Sequence, residues 1–162
     1  MKMTYQIERD GQGAERVMLS GPIDESLLPQ IGDLSNQVGK DVTLVLKDVT
    51  QINSIGTRSW IEFLRVFCEG RTVRFSECSF DFLMAMIIIP SMTAGGTVES
   101  FYYLAYCSDC ATEDSLLLNL SEDRAALLST IEKATCPSCN KPMDFDEDPD
   151  VVLSALDNLG RT

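Results

Sequence analysis

Two C-x-x-C pairs constrain this chain more than any other feature of its sequence. The first pair is Cys107 and Cys110, the second is Cys136 and Cys139, and 25 residues separate them. Pairs of this kind on two facing turns place four thiolates at the corners of a tetrahedron. We therefore predict one metal ion held by these four cysteines, with two redox pairs or disulfides as the alternative.

Zinc is the cofactor that such a set of ligands favours. Four protein thiolates fill every position of a tetrahedral zinc, so the site should be structural and not catalytic. A rubredoxin-type iron site uses the same four thiolates, and aromatic side chains near the cysteine pairs suit electron transfer, so iron stays open as the alternative metal. The nearby aromatic residues are Tyr102, Tyr103, Tyr106 and Phe145.

The sequence contains no sign of export or of a membrane span. Its first residues, MKMTYQIERDG, lack the apolar segment of a secretory signal. The longest apolar run, FLMAMIII at 82–89, is far shorter than the roughly 20 residues that a membrane helix needs. We therefore expect a cytoplasmic protein without membrane contacts, a compartment in which disulfides are rare.

Charge and composition exclude several kinds of function. The formal net charge is −12, and none of the 162 residues is a histidine. An acidic surface repels the phosphates of nucleic acids. Without histidine, the commonest general base is missing. We find no nucleophile beside a base, no Walker loop and no dinucleotide fingerprint, and we expect a protein that is not an enzyme.

Strand and helix signals alternate through the first half of the chain. Helices are predicted over 24–39, from about 56 to 69, and over 80–89, and the β-branched run DVTLVLKDV should form a central strand. This order predicts an α/β fold with a mixed, largely parallel sheet and packed helices. The predicted core residues are Val42, Leu44, Leu46, Trp60, Leu64 and Phe67.

The second half has another pattern. GTVESFYYLAYCSDC is predicted to be a strand that runs into the first cysteine pair, with DSLLLNL as its return strand. SEDRAALLSTIEK is compatible with a short helix or with a loop. A last helix is predicted after Pro149. Its predicted apolar stripe is Val151, Val152, Ala155, Leu156 and Leu159.

A change in charge marks a domain boundary near residue 92. Residues 1–91 carry 12 acidic and 9 basic side chains, net −3, whereas residues 92–162 carry 13 and 4, net −9. The segment AGG at 94–96 lies close to this change. We therefore predict an α/β domain at 1–92 and a four-cysteine, zinc-ribbon-like β extension with a C-terminal helix at 93–162.

Two segments of the first half carry a resemblance to a known family. VMLSGPID at 17–24 and VTLVLKDVTQINSIGTRSWIEFL at 42–64 are similar to strands, switch loop and following helix of the STAS domain. This is the fold of anti-sigma-factor antagonists and of the cytoplasmic tails of sulfate transporters. The resemblance covers about residues 4–92. The second half resembles the short cysteine-knuckle extension of some bacterial STAS proteins.

The switch loop of the family typically reads D-S-S-G. Here it reads Asn53, Ser54, Ile55 and Gly56. The resemblance implies that Ser54 occupies the phosphorylated position, whereas Asn53 replaces the aspartate and Ile55 the second serine. By its position before a helix, Ser54 is also predicted to be the N-cap of that helix, and the two roles are compatible.

The resemblance implies a non-enzymatic bacterial signalling protein of the anti-sigma-factor-antagonist type. Its partner would be a regulatory protein, such as an anti-sigma factor with serine-kinase activity, which releases the chain once Ser54 is phosphorylated. Two alternatives come from the cysteines: a nucleic-acid-binding zinc ribbon, and a rubredoxin-like iron protein that transfers electrons.

Overall fold

Five strands form a mixed sheet in the first part of the fold. The computed structural model describes residues 1–159. The strands lie in the order β1-β2-β3-β4-β5; β1 is antiparallel to β2, and every other pair is parallel. The predicted mixed, largely parallel sheet is therefore confirmed. Its strands are β1 (Thr4–Arg9), β2 (Glu15–Ile23), β3 (Asp41–Ile52), β4 (Thr72–Ser76) and β5 (Thr97–Val98).

The helices agree with the predicted order, except that the first is split. One helix was expected over 24–39, but helix α1 ends at Ile31 and a separate 3-10 turn covers Leu34–Asn36. Gly32 is a weak helix former, and the Asp33 carboxylate accepts a hydrogen bond from the side-chain amide of Asn36 at 3.0 Å, which favours the tighter turn. The helices are α1 (Leu27–Ile31), α2 (Ser54–Phe67), α3 (Phe80–Ile88), α4 (Arg124–Glu132) and α5 (Pro149–Leu159).

The predicted core is confirmed, since all six of its residues are fully buried. Trp60 of α2 lies near its centre. Its ring centroid is 5.3 Å from that of Phe82, edge to face, and 6.4 Å from that of Phe75. The indole N–H donates to the backbone oxygen of Met92 at 3.0 Å, so the one polar atom of this side chain is satisfied.

A second, antiparallel sheet follows the first. Strands β6 (Ser100–Tyr106) and β7 (Glu113–Asn119) pair along their whole length, as expected for DSLLLNL as a return strand. The single strand expected over GTVESFYYLAY is split, because Thr97–Val98 form β5 and pair with β4. The segment left open between helix and loop forms α4. Its N-cap is Asp123, whose carboxylate accepts from the Ala126 amide at 2.7 Å.

The apolar stripe of α5 differs from the expected one by one position. Val151 is 62% exposed, whereas Leu153 is buried beside Val152 and Leu156. The helix is tied to α4 by Arg124, whose guanidinium bonds to the carboxylates of Asp150 and Asp157 at 3.0 and 3.3 Å. Burial of Val152, Leu153 and Leu156 in the core leaves Val151 on the exposed side of α5.

A single apolar core continues across the boundary that we predict near residue 92. Strand β5 lies beyond that residue and pairs with β4 of the first sheet. Phe101 and Tyr103 of β6 are buried in the same cluster as Trp60 and Phe75. None of the helices in the described part of the chain has the length and apolar character needed to span a bilayer.

Candidate metal centre and switch loop

The two cysteine pairs lie on two turns of the same conformation. In the first, the Cys107 amide donates to the carbonyl of Thr112 at 2.8 Å. In the second, the Cys136 amide donates to the carbonyl of Lys141 at 2.7 Å, five residues on in each case. The residue after each second cysteine has a left-handed backbone, with φ of 59° at Ala111 and 62° at Asn140. These matched turns aim the cysteine side chains at a common point.

The four sulfur atoms form a compact cluster. The Sγ atoms of Cys107 and Cys139 are 3.5 Å apart, as are those of Cys110 and Cys136. All four ligand atoms lie within 4.8 Å of one another. A tetrahedral ion with metal–sulfur bonds of about 2.3 Å has sulfur–sulfur edges of roughly 3.8 Å. The cluster is therefore of the size that one such ion requires.

Hydrogen bonding and mutual repulsion make this cluster suited to a cation. Burial raises the pKa of the Cys136 thiol, but hydrogen bonds from the amides of Cys139 and Ser138 and from neighbouring thiols lower its pKa to about 6. The Lys141 amide favours the thiolate of Cys139, yet the adjoining cysteines, Cys107 first, raise its pKa to about 12. Four negative charges this close cannot coexist without a cation among them.

Strand pairing holds the two turns together. Tyr106, the last residue of β6, exchanges two backbone hydrogen bonds with Asp144, at 2.9 and 2.7 Å. The Thr112 hydroxyl of the first turn donates to Ser138 of the second at 3.1 Å. Apolar packing is small and consists of Ala105, Cys107, Cys136 and Met143, with Ala134, Cys139 and Phe145 at its margin. Little apolar surface is therefore buried around the four cysteines, and a metal ion bound by them would add to the stability of this region.

The remaining two cysteines lie outside the cluster. Cys78 is fully buried, and burial raises the pKa of its thiol to about 12. Cys68 is half-buried, and burial raises its pKa to about 11. Both act as small apolar side chains of the main core.

The segment predicted to be a switch loop forms the N-terminal turn of α2, and the cap of this helix is Asn53. The prediction that Ser54 caps this helix is wrong, because Ser54 is already its first helical residue and the cap is the residue before it. Asn53 has an extended backbone, with φ of −105° and ψ of 175°, and its side-chain oxygen accepts from the Gly56 amide at 2.7 Å. Asparagine and serine are equally good caps, so the sequence alone could not decide between neighbours.

The N-terminal turn of α2 borders an open groove. Ser54 and Ile55 are exposed, Ile55 by 59%. The groove has a volume of about 390 Å³. We call it the α2 groove; it is lined by Ser54, Thr57, Arg58, Ile61, Glu62, Arg65 and Ile89.

Sequence reasoning did not identify Ile89 as part of this groove. It follows α3 directly, and its side chain is 37% exposed. The available signal was Pro90, which ends the helix and brings the preceding residue to the surface.

Two substitutions test which residue of this turn caps α2. We expect Asn53→Ala to lower the free energy of unfolding by about 1 kcal/mol, because the Gly56 amide loses its partner. Ser54→Ala should change the free energy of unfolding by less than about 0.5 kcal/mol, because Ser54 is exposed and does not cap the helix. Chemical denaturation of the two variants beside the wild type measures both values. An equal loss in the two variants would contradict this assignment.

Comparison with known proteins leaves the resemblance to the STAS family as a prediction. No protein-family model and no curated protein matches the chain.

Proposed function

We propose that this chain is a non-enzymatic regulatory module of the STAS type, which binds a protein partner at the N-terminal turn of α2. The supporting observation is the position of Ser54. It is exposed, it lies at the end of the central strand β3, and it forms one wall of the α2 groove. The groove combines apolar Ile61 and Ile89 with charged Arg58, a mixture that suits a protein surface.

Phosphate at Ser54 would act on the partner and not on the fold. The residue is the first of a 14-residue helix, and helix N-termini stabilise anions. A phosphoserine there adds about two negative charges at the edge of the groove. A partner that buries this edge would then have to bury an unmatched charge, which costs several kcal/mol.

Ser54→Asp tests this switch. We expect the partner, isolated from native cells with Ser54→Ala as the bait, to bind Ser54→Asp at least about tenfold more weakly than the wild type. Thermal unfolding of the variant should stay unchanged. Ser121→Asp, which adds the same charge at an exposed serine after β7, should bind as the wild type does. Equal binding of the two aspartate variants would refute the switch.

We further propose that the metal is zinc and that it has a structural role. All four ligand positions are cysteines, which leaves no open position for substrate or water. The turns are joined to β6, so the ion fixes the end of the second sheet. Elemental analysis of freshly purified protein should give about one zinc per chain. One iron per chain, with a red colour, would favour electron transfer instead.

A further inference from the structure

The outer face of the β6–β7 hairpin carries apolar side chains without a cover. Side chains alternate along a strand, so Tyr102, Leu104 and Tyr106 share one face of β6. Phe101 and Tyr103 point the other way and are buried. On the outer face, Leu104 and Leu117 are each 51% exposed and Tyr106 is 39% exposed. Strand β6 is thus apolar on both faces, but the fold buries only the face that carries Phe101 and Tyr103.

A groove of about 500 Å³ lies where the outer face of the hairpin meets the first cysteine turn. Leu104 and Tyr106 supply its apolar wall. The carboxylates of Glu113, Asp114 and Asp146 supply its charge, and no basic residue lines it. None of these three carboxylates forms an ion pair with another residue of the described range 1–159. We call this surface the hairpin groove.

The negative charge of the hairpin groove determines which class of ligand can bind there. An acidic or nucleic-acid ligand would face three unpaired carboxylates. A second copy of the chain, docked by the same face around a two-fold axis, would bring the acidic walls of both copies together. A cationic ligand with apolar side chains meets neither obstacle. Its charges pair with the carboxylates, while its apolar groups cover Leu104 and Tyr106 in the groove and Leu117 next to it on the outer face.

We propose that the hairpin groove binds a cationic, amphipathic segment of a partner protein. The segment carries lysine or arginine on one side and apolar residues on the other. The hairpin groove shares no lining residue with the α2 groove. The proposal therefore stands whether or not Ser54 is a switch, and the two surfaces can be tested separately.

A random peptide library displayed on phage, selected against the full metal-loaded chain, tests this proposal. We expect enrichment of peptides that combine basic and apolar residues. Fluorescence anisotropy of an enriched peptide should show a loss of affinity of at least about tenfold for Leu104→Ser with Leu117→Ser, and again for Glu113→Gln with Asp146→Asn. Its affinity should also fall as salt is raised from 0.05 to 0.5 M, as for any exposed charge pairing.

Matched variants test whether peptide binding depends on the carboxylates of the hairpin groove or only on the net negative charge of the protein. Glu8→Gln with Glu132→Gln removes the same two charges from exposed positions outside the groove, and should leave peptide affinity unchanged, as should Ser54→Asp. Circular dichroism checks that every variant is folded. Enrichment of acidic peptides, no enrichment at all, or equal loss in the control pair would overturn the proposal. So would a dimer that Leu104→Ser dissociates.

Discussion

Gly56→Ala is expected to destabilise the protein by at least about 3 kcal/mol, although it adds a single methyl group. A Cβ at this position would lie 1.8 Å from the backbone oxygen of Ile23 and 2.7 Å from the backbone nitrogen of Asp24. Both atoms belong to main chain at the end of β2, so no side chain can rotate away. The first turn of α2 would have to move off the sheet, and Asn53 would lose its place as cap.

Gly11→Ala is the matched control. Gly11 has open space where a Cβ would be added, and its backbone is not left-handed. Its replacement should change the free energy of unfolding by less than about 1 kcal/mol. Alanine restricts the unfolded chain more than glycine does, so the change should be stabilising. Urea denaturation of both variants gives the comparison. Similar midpoints for the two would show that β2 and α2 are not packed as the structure has them.

Removal of the metal is expected to unfold both cysteine turns and leave the first sheet folded. The turns bury few apolar groups, so the metal supplies most of their stability; in zinc-finger peptides this contribution is about 10–16 kcal/mol. Phe101 and Tyr103 belong to the main core instead, and they should keep the start of β6 in place. After a chelator is added, amide hydrogen exchange should accelerate over 107–112 and 134–144 by at least about a thousandfold.

Cysteine variants provide the control for this experiment. Cys136→Ser should reproduce the effect of the chelator and lower the bound metal, because three thiolates leave one position of the tetrahedron unfilled. Cys68→Ser changes a half-buried cysteine outside the cluster and should keep one metal per chain. If amides of β3 exchange as fast as those of the turns, the metal stabilises the whole fold, and the expectation that only the cysteine turns depend on it is wrong.

The elements with strong patterns were predictable from the sequence. The run DVTLVLKDV carries enough β-branched residues to identify β3, and the alternation of apolar and charged residues fixes the buried face of α2 around Trp60 and Leu64. The four cysteines were predictable as a group because their spacing alone restricts how the two turns can face each other. In each case the signal lies within one short segment.

Features that depend on contacts between distant segments were not predictable. Thr97 and Val98 were predicted as part of one strand with FYYLAY, but they form a separate strand, β5, because they pair with β4 of the first sheet. Asn53 is the cap because Gly56 packs against Ile23, which sets where α2 begins. The apolar stripe of α5 includes Leu153 in place of Val151 because the helix packs Val152, Leu153 and Leu156 against the core. The hairpin groove was not predictable because the run FYYLAY is apolar throughout, which is typical of a strand buried on both faces.

The most direct measurement of the central claim is photo-crosslinking at the N-terminal turn of α2 in native cells. A photoreactive amino acid replaces Ile55 in one variant, Arg58 in a second, and Glu8 of β1 in a third as the control. We expect one discrete protein adduct from the first two positions, absent when Ser54→Asp is added, and no adduct from Glu8. No adduct from Ile55 or Arg58, or an adduct that Ser54→Asp leaves unchanged, would contradict it.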